Sequence, residues 1–155
     1  MSTILITGAS GGLAQEMVKL LPDNQLILLG RNKEKLVQLY GNHPHVEVVE
    51  IDITDDTALE TWVAELYQRY GKIDVLINNA GYGIFEDFDK ISNQDIHQMF
   101  EVNTFALMNL SRLIASRMKE MRKGHIINIV SMAGLIATGK SSLYSATKFA
   151  AIGFS

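Results

Sequence analysis

The chain has 155 residues, a formal net charge of −3 and no cysteine. That length suits one folded domain with a sizeable core. With so small a net charge nothing suggests a polybasic nucleic-acid face or an acidic disordered tail, and the absence of Cys excludes disulfides and thiolate metal sites.

The N-terminus, Met1-Ser2-Thr3-Ile4, enters an apolar run with no basic region and no small-residue cleavage site, so no signal peptide is expected. No apolar segment approaches the length of a membrane span. A cytoplasmic protein without membrane or nucleic-acid partners is the default expectation. His43, His45, His97 and His125 share no ligand spacing, and no metal site is expected.

Ile4-Leu5-Ile6-Thr7 reads as a short β-branched strand. Gly8-Ala9-Ser10-Gly11-Gly12-Leu13-Ala14 follows at once, and Met17, Val18, Leu20 and Leu21 continue as a helical pattern. Strand, Gly-rich turn and helix is the context a phosphate-cradling loop requires. Gly8 would permit the tight turn, Gly12 a close approach of backbone to a pyrophosphate, and Ala14 close packing of helix on strand. A plain strand-to-helix turn would have the same outline.

Leu26-Ile27-Leu28-Leu29 is a second buried strand, ending at Gly30-Arg31-Asn32. In dinucleotide folds an acid near this point takes the ribose 2′-hydroxyl of NAD. Arg31 stands there instead, and a guanidinium suits a 2′-phosphate; NADP(H) is therefore expected over NAD(H). A solvated Arg at a helix start is the plain alternative. A helix over 33–40 precedes a third strand, Val46 to Ile51, and Asp52. Thr54 is expected to cap an amphipathic helix whose Leu59, Trp62, Val63, Leu66 and Tyr70 recur at 3.6-residue spacing.

Ile73 to Ile77 is the fourth strand, followed by Asn78-Asn79-Ala80-Gly81. The two Asn suit either ordinary turn chemistry or a backbone fixed around a cofactor. Ser92 to Asp95 has a capping-box pattern. The long helix after it carries Ile96, Met99, Phe100, Leu107, Leu110, Ile114, Met118 and Met121 on one face. Asn103 falls on that face, where a buried amide must be satisfied. It either makes a structural hydrogen bond or organises a water near the site.

Ile126, Ile127, Ile129 and Val130 form a fifth, buried strand, with Ser131 at its carboxyl end. Ser141 or Ser142 can cap a last helix, on which Tyr144 and Lys148 share one face at i and i+4. An ammonium beside a phenol favours the phenolate. Such a Tyr can give a proton to a carbonyl oxygen or take one from an alcohol, and a nearby Ser hydroxyl can bond the same oxygen. Alone, the pair also reads as a surface Lys beside a half-buried Tyr.

The strict alternation of strand and helix predicts an α/β fold, a doubly wound parallel sheet with helices on both faces. In such sheets ligands bind beyond the carboxyl ends of the strands. Gly8–Gly12, Arg31, Asp52, Asn78–Gly81 and Ser131 all fall on that edge.

Together these residues resemble the short-chain dehydrogenase/reductase superfamily, over nearly the whole chain. Thr7 to Ala14 is similar to the family's T-G-x-x-x-G-x-G, with Ala14 in the last Gly position. Asp52 matches the acid that contacts adenine, and Asn78-Asn79-Ala80-Gly81 the N-N-A-G segment. Asn103, Ser131, Tyr144 and Lys148 match the catalytic tetrad in order and spacing. The resemblance implies a Rossmann-like fold and an NAD(P)-dependent interconversion of a small-molecule carbonyl and its alcohol. Tyr144 would be the general acid/base, and Ser131 would hold the substrate oxygen. Lys148 would bind the nicotinamide ribose and favour the Tyr144 phenolate, and Asn103 would position a water. Cofactor contacts are expected from Gly8, Ser10, Gly11, Gly12, Leu13, Arg31, Asn32, Asp52, Ile53, Asn79, Ala80, Gly81, Tyr144 and Lys148.

Family members continue past the Tyr-Lys helix with further strands and a substrate-covering loop. Residues 1–155 are therefore expected to be one NAD(P)-binding domain truncated at its C-terminus, with the C-terminal strands missing. The family is commonly dimeric or tetrameric, so a homodimer or homotetramer is expected. Two other readings share these motifs: a non-catalytic NAD(P)-binding sensor or structural protein, and a nucleotide-sugar epimerase or dehydratase. The second usually carries G-x-x-G-x-x-G, which this loop lacks.

Overall fold

The computed structural model describes residues 1–155. Strands and helices alternate as β1 (Thr3–Ile6), α1 (Gly12–Lys19), β2 (Gln25–Gly30), α2 (Lys33–Tyr40), β3 (Val46–Glu50), α3 (Asp56–Tyr70), β4 (Val75–Asn78), α4 (Asn93–Phe100), α5 (Ala106–Met121), β5 (His125–Asn128) and α6 (Ser142–Phe154). The strands pair in parallel in the order β3-β2-β1-β4-β5. Leu5 of β1 thus lies between Ile27 of β2 and Leu76 of β4. No helix is long and apolar enough to cross a membrane.

The period-2 alternation of strand side chains divides the interior into two cores. Leu5, Ile27, Leu29 and Leu76 pack with Leu59, Val63 and Leu66 of α3 and Leu110, Ile114 and Met118 of α5. Ile4, Ile6, Leu26, Leu28 and Ile77 face the other way, onto Ala14 and Val18 of α1 and Leu36 and Tyr40 of α2. Burial on both faces explains why β1 and β2 read as near-continuous apolar runs. The sheet is doubly wound and Rossmann-like, as the alternation of elements indicated.

Several local expectations are corrected. Asp55, not Thr54, caps α3, accepting the Ala58 N–H at 3.0 Å. The Thr54 hydroxyl is drawn back to Asp52 Oδ1 at 2.7 Å. The long helix runs on from α4 into α5, but it contains a π-helical turn over Glu101–Phe105 that the 3.6-residue pattern did not indicate. Asn103 and Thr104 in that turn both bond to Thr147 of α6, which holds the wider turn in place. Met121, at the end of α5, is exposed. Within residues 1–155 β5 has one neighbouring strand, and Ile127 is 37% exposed. Ser92 does cap α4, accepting the Asp95 N–H at 3.1 Å. Ser141 stands at the start of α6, but its hydroxyl bonds Thr138 and Ser145 instead of a helix N–H.

Because every strand runs the same way, all carboxyl ends share one edge, and the loops after β1 and β4 meet where the strand order reverses. Thr7 fastens them: its Oγ1 accepts the N–H groups of Asn79 at 3.0 Å and Ala80 at 2.9 Å. Asn79 returns the contact, its Nδ2 donating to the carbonyls of Thr7 and Gly8. Asn78 reaches the other way, to Ser111 Oγ at 2.9 Å and Asn128 Oδ1 at 2.8 Å. Thr7→Val keeps the shape and removes the acceptor, leaving two N–H groups without their partner. Urea unfolding should show a loss of roughly 1–3 kcal/mol, and Thr7→Ser should recover most of it.

Candidate active site

Gly8 follows β1 with φ of 63°, and a Cβ there would lie 2.7 Å from Ala80 Cα. Only glycine suits both the left-handed backbone and the contact. The Tyr40 hydroxyl, buried behind the loop, donates to the Ala9 carbonyl at 2.6 Å, and burial raises its pKa. Gly11 occupies the cap position of α1 with no side chain over the helix end. The N–H groups of Gly12, Leu13 and Ala14 make no hydrogen bond within the chain, and a Cβ on Gly12 would meet nothing within 4 Å. The start of α1 thus offers free donors and the positive end of a helix dipole to an anion.

A cavity of about 360 Å³ opens in front of this loop. Gly8, Ser10, Gly11, Gly12 and Leu13 form one wall, Arg31, Asp52 and Ile53 another, and Asn79, Ala80 and Gly81 a third. Most of the residues expected at a cofactor are therefore brought together. Asn32 is not; it lies in the shallower depression beside Arg31, and its side chain caps α2 by accepting the Lys35 N–H at 2.8 Å. Leu29, Gly30, Ile51, Tyr82 and Val102 also line the cavity and were not foreseen. Of these, Tyr82 carried a readable signal, since it directly follows Gly81.

Asp52 is held below the usual carboxylate range, chiefly by the Thr54 N–H and hydroxyl that bond its Oδ1, with Arg31 adding to the effect. Arg31 is exposed and takes part in no ion pair within 4.0 Å. Glu34 and Glu50 share its outer depression and are the opposing charges there.

The third wall leads to α6. A Cβ on Gly81 would lie 3.1 Å from Lys148 Nζ and 3.2 Å from Asn103 Oδ1. Lys148 is 6% exposed, has no carboxylate partner, and has its pKa lowered by desolvation. Its Nζ lies 5.6 Å from the centre of the Tyr144 ring, so the pair does share a face. Of the two roles open to Asn103, the structural one is filled. Its Oδ1 accepts the Tyr82 N–H at 3.0 Å, and its Nδ2 donates to the Tyr82 carbonyl at 2.7 Å and to Thr147 Oγ1 at 3.1 Å. Thr147 was not foreseen; its neighbour Lys148 was the visible residue.

Ser131 caps the short 3₁₀ turn Met132–Gly134, its Oγ accepting the Ala133 N–H at 3.1 Å. That turn packs on α6, where a Cβ on Gly134 would meet the Lys148 carbonyl at 2.9 Å. No hydrogen bond joins Ser131 to Tyr144. The Ser131 oxygen acts as an acceptor, which leaves its own proton free to donate.

A family model described as short chain dehydrogenase matches residues 2–155. The chain belongs to that family. An uncharacterized oxidoreductase of Staphylococcus saprophyticus is 33% identical over 151 residues, which is 95% of this chain and 61% of the relative. The 3-ketodihydrosphingosine reductase of Bacteroides thetaiotaomicron is 31% identical over 98% of this chain and 55% of its own length. A crystal structure of a metagenomic short-chain oxidoreductase in complex with NADP superposes with a TM-score of 0.93 at 28% identity, covering 98% of this chain and 72% of that one. This short-chain dehydrogenase chain thus spans 55–61% of the length of these two curated relatives. Its residues fit a nicotinamide dinucleotide: open N–H donors at α1, a cradle that a Cβ on Gly12 would fill, and a route past Gly81 to Lys148.

Lys148 sets a pH dependence of stability. Its folded-state pKa lies below the ordinary 10.5, so between the two values the unfolded chain binds the extra proton. Its contribution to stability therefore rises with pH through that window. Lys148→Met removes the desolvated charge. The variant should have the higher urea midpoint at pH 7, and its advantage over wild type should shrink as the pH approaches 10.5.

Proposed function

We propose that the whole protein is an NADP(H)-dependent oxidoreductase that interconverts a small-molecule carbonyl and its alcohol, with Tyr144 as the general acid/base. The observation that supports this most directly is the junction at Gly81. There the wall of the cavity in front of the glycine loop reaches Lys148 Nζ, one helical turn from Tyr144. A bound dihydronicotinamide would supply a hydride to the carbonyl carbon. Tyr144 donates its hydroxyl proton to the carbonyl oxygen as charge develops there, so a neutral alcohol forms. Ser131 directs its free O–H at the same oxygen and lowers the cost of that charge. Lys148, whose ammonium is buried beside the phenol ring, contacts the cofactor ribose. Asn103 acts by holding Tyr82 and α6 in register, and a water-positioning role would add to that. Dimers or tetramers would assemble through α5 and the π turn before it, where Met108 and Phe105 are exposed.

The test is single-turnover hydride transfer alongside cofactor titration, in the full-length protein. Tyr144→Phe should slow the chemical step by about 10²–10⁴-fold while cofactor affinity holds. Ser131→Ala should slow turnover with little change in cofactor binding, and Lys148→Met should lower both. A wild-type rate for Tyr144→Phe across pH would overturn the assignment and leave a cofactor-binding protein without this chemistry.

Cofactor choice rests on Arg31, the free cation on the cavity wall. One charge-assisted contact to a 2′-phosphate corresponds to about ten- to a hundredfold in affinity. NADPH should bind that much more tightly than NADH, and Arg31→Asp should reverse the order. Equal dissociation constants for the two cofactors in the wild type would remove Arg31 from this role.

A further inference from the structure

The loop after β4 carries an aromatic ring that neither the cavity nor the Tyr144–Lys148 pair explains. Phe85 is 61% exposed, yet its ring lies against Tyr144, with centroids 5.2 Å apart and planes inclined at 59°. Tilted geometry at this separation is the favoured arrangement of an aromatic pair. Gly83 makes room for both rings: a Cβ there would lie 2.7 Å from Phe85 Cε2 and 3.1 Å from Tyr144 Cδ2. Phe88 in the same loop is exposed, as are Met132, Leu135 and Ile136 in the segment before α6. Lys140 ties the two segments together, its Nζ 4.0 Å from Glu86 Oε1 and 3.7 Å from Asp87 Oδ2. Lys90 sits 3.1 Å from the same Asp87 carboxylate. Both lysines on this rim are therefore paired with carboxylates, and Lys148, the cation nearest Tyr144, is the one assigned above to the cofactor ribose.

The ring contact makes Phe85 the aromatic neighbour of the residue whose hydroxyl would meet the carbonyl oxygen. An aromatic ring held there by a glycine, with its outer face uncovered by residues 1–155, is stabilised by apolar cover. We propose that Phe85 is the wall of the substrate site, and that the carbonyl compound reduced at Tyr144 is uncharged and carries an aromatic or bulky apolar group next to its carbonyl. This rests on Tyr144 being the proton donor. The reaction balances as given above: hydride from the reduced cofactor to carbon, proton from Tyr144 to oxygen, and no further reactant.

The experiment uses the full-length protein and three probes: acetophenone, its charged counterpart benzoylformate, and the small polar ketone hydroxyacetone. Each is titrated by ligand-observed NMR against the protein with and without oxidised cofactor, a complex that cannot reduce them, and each is then assayed for turnover with NADPH. Acetophenone should bind wild type the most tightly of the three. Phe85→Ala should weaken it about tenfold, with the hydroxyacetone and cofactor dissociation constants unchanged. In turnover the loss should fall on KM rather than kcat. Phe85→Leu, which keeps an apolar wall, should restore most of the affinity, and an unchanged urea midpoint in either variant excludes a folding defect. The proposal is overturned if acetophenone binds Phe85→Ala as tightly as wild type, or if wild type prefers benzoylformate or hydroxyacetone. Phe85-dependent binding without any turnover would keep the wall and remove the proton-donor reading, so the two failures are distinct.

Discussion

The backbone of Gly8 rests on the backbone of Ala80, too close for any side chain to intervene. Two loops that leave adjacent parallel strands in opposite directions are thereby joined at the point where the strand order reverses. Thr7 and Asn79 complete the joint with reciprocal hydrogen bonds, so neither loop can shift alone. The rest of the site is built outward from this contact. The start of α1 follows Gly8 within four residues, and Gly81 follows Ala80 directly. From Gly81 the wall continues to Lys148 and Asn103, and so to α6 and the π turn. Displacing Gly8 from Ala80 would move the anion-binding helix end and the Tyr-Lys helix relative to each other.

The parts of this arrangement that were legible in the sequence are those that a short stretch determines. The apolar runs of β1 and β2 announce a sheet buried on both faces. The glycines after β1 announce a turn that L side chains resist, and their spacing with Ala14 places a helix behind it. Tyr144 and Lys148 share a face because they are four apart on one helix. The parts that were not legible depend on contacts across the chain. Thr54 has the right chemistry for a cap, but Asp52 competes for its hydroxyl, and Asp55 takes the position. The π turn follows from Asn103 and Thr104 bonding Thr147 some forty residues on, which no local periodicity encodes. Tyr82 and Thr147 gain importance only as partners of Asn103.

The electrostatics of the site follow from what is absent around its charges. Lys148 is buried without a carboxylate, and Arg31 lies in the open without an ion pair. Asp52 is satisfied by Thr54 rather than by a cation. A structural lysine is ordinarily paired when buried, or allowed to reach water. One that is neither costs stability, and its position 3.1 Å from the Cβ direction of Gly81 ties that cost to the cavity.

The cores and the carboxyl-end edge differ in how fully their polar groups are matched. In the cores, polar groups are rare and matched: Asn78 bonds Ser111 and Asn128, and the Tyr40 hydroxyl bonds Ala9. On the carboxyl-end edge the matching stops. The helix α1 begins without a side-chain cap, the Gly8 backbone is left-handed, and Phe85 turns one face to water while the other rests on Tyr144. Each departs from what stability alone would select, and all lie in the loops and helix start beyond the carboxyl ends of the strands. Departures gathered on one side of an otherwise consistent fold mark the place where binding, rather than folding, governs the choice of residue.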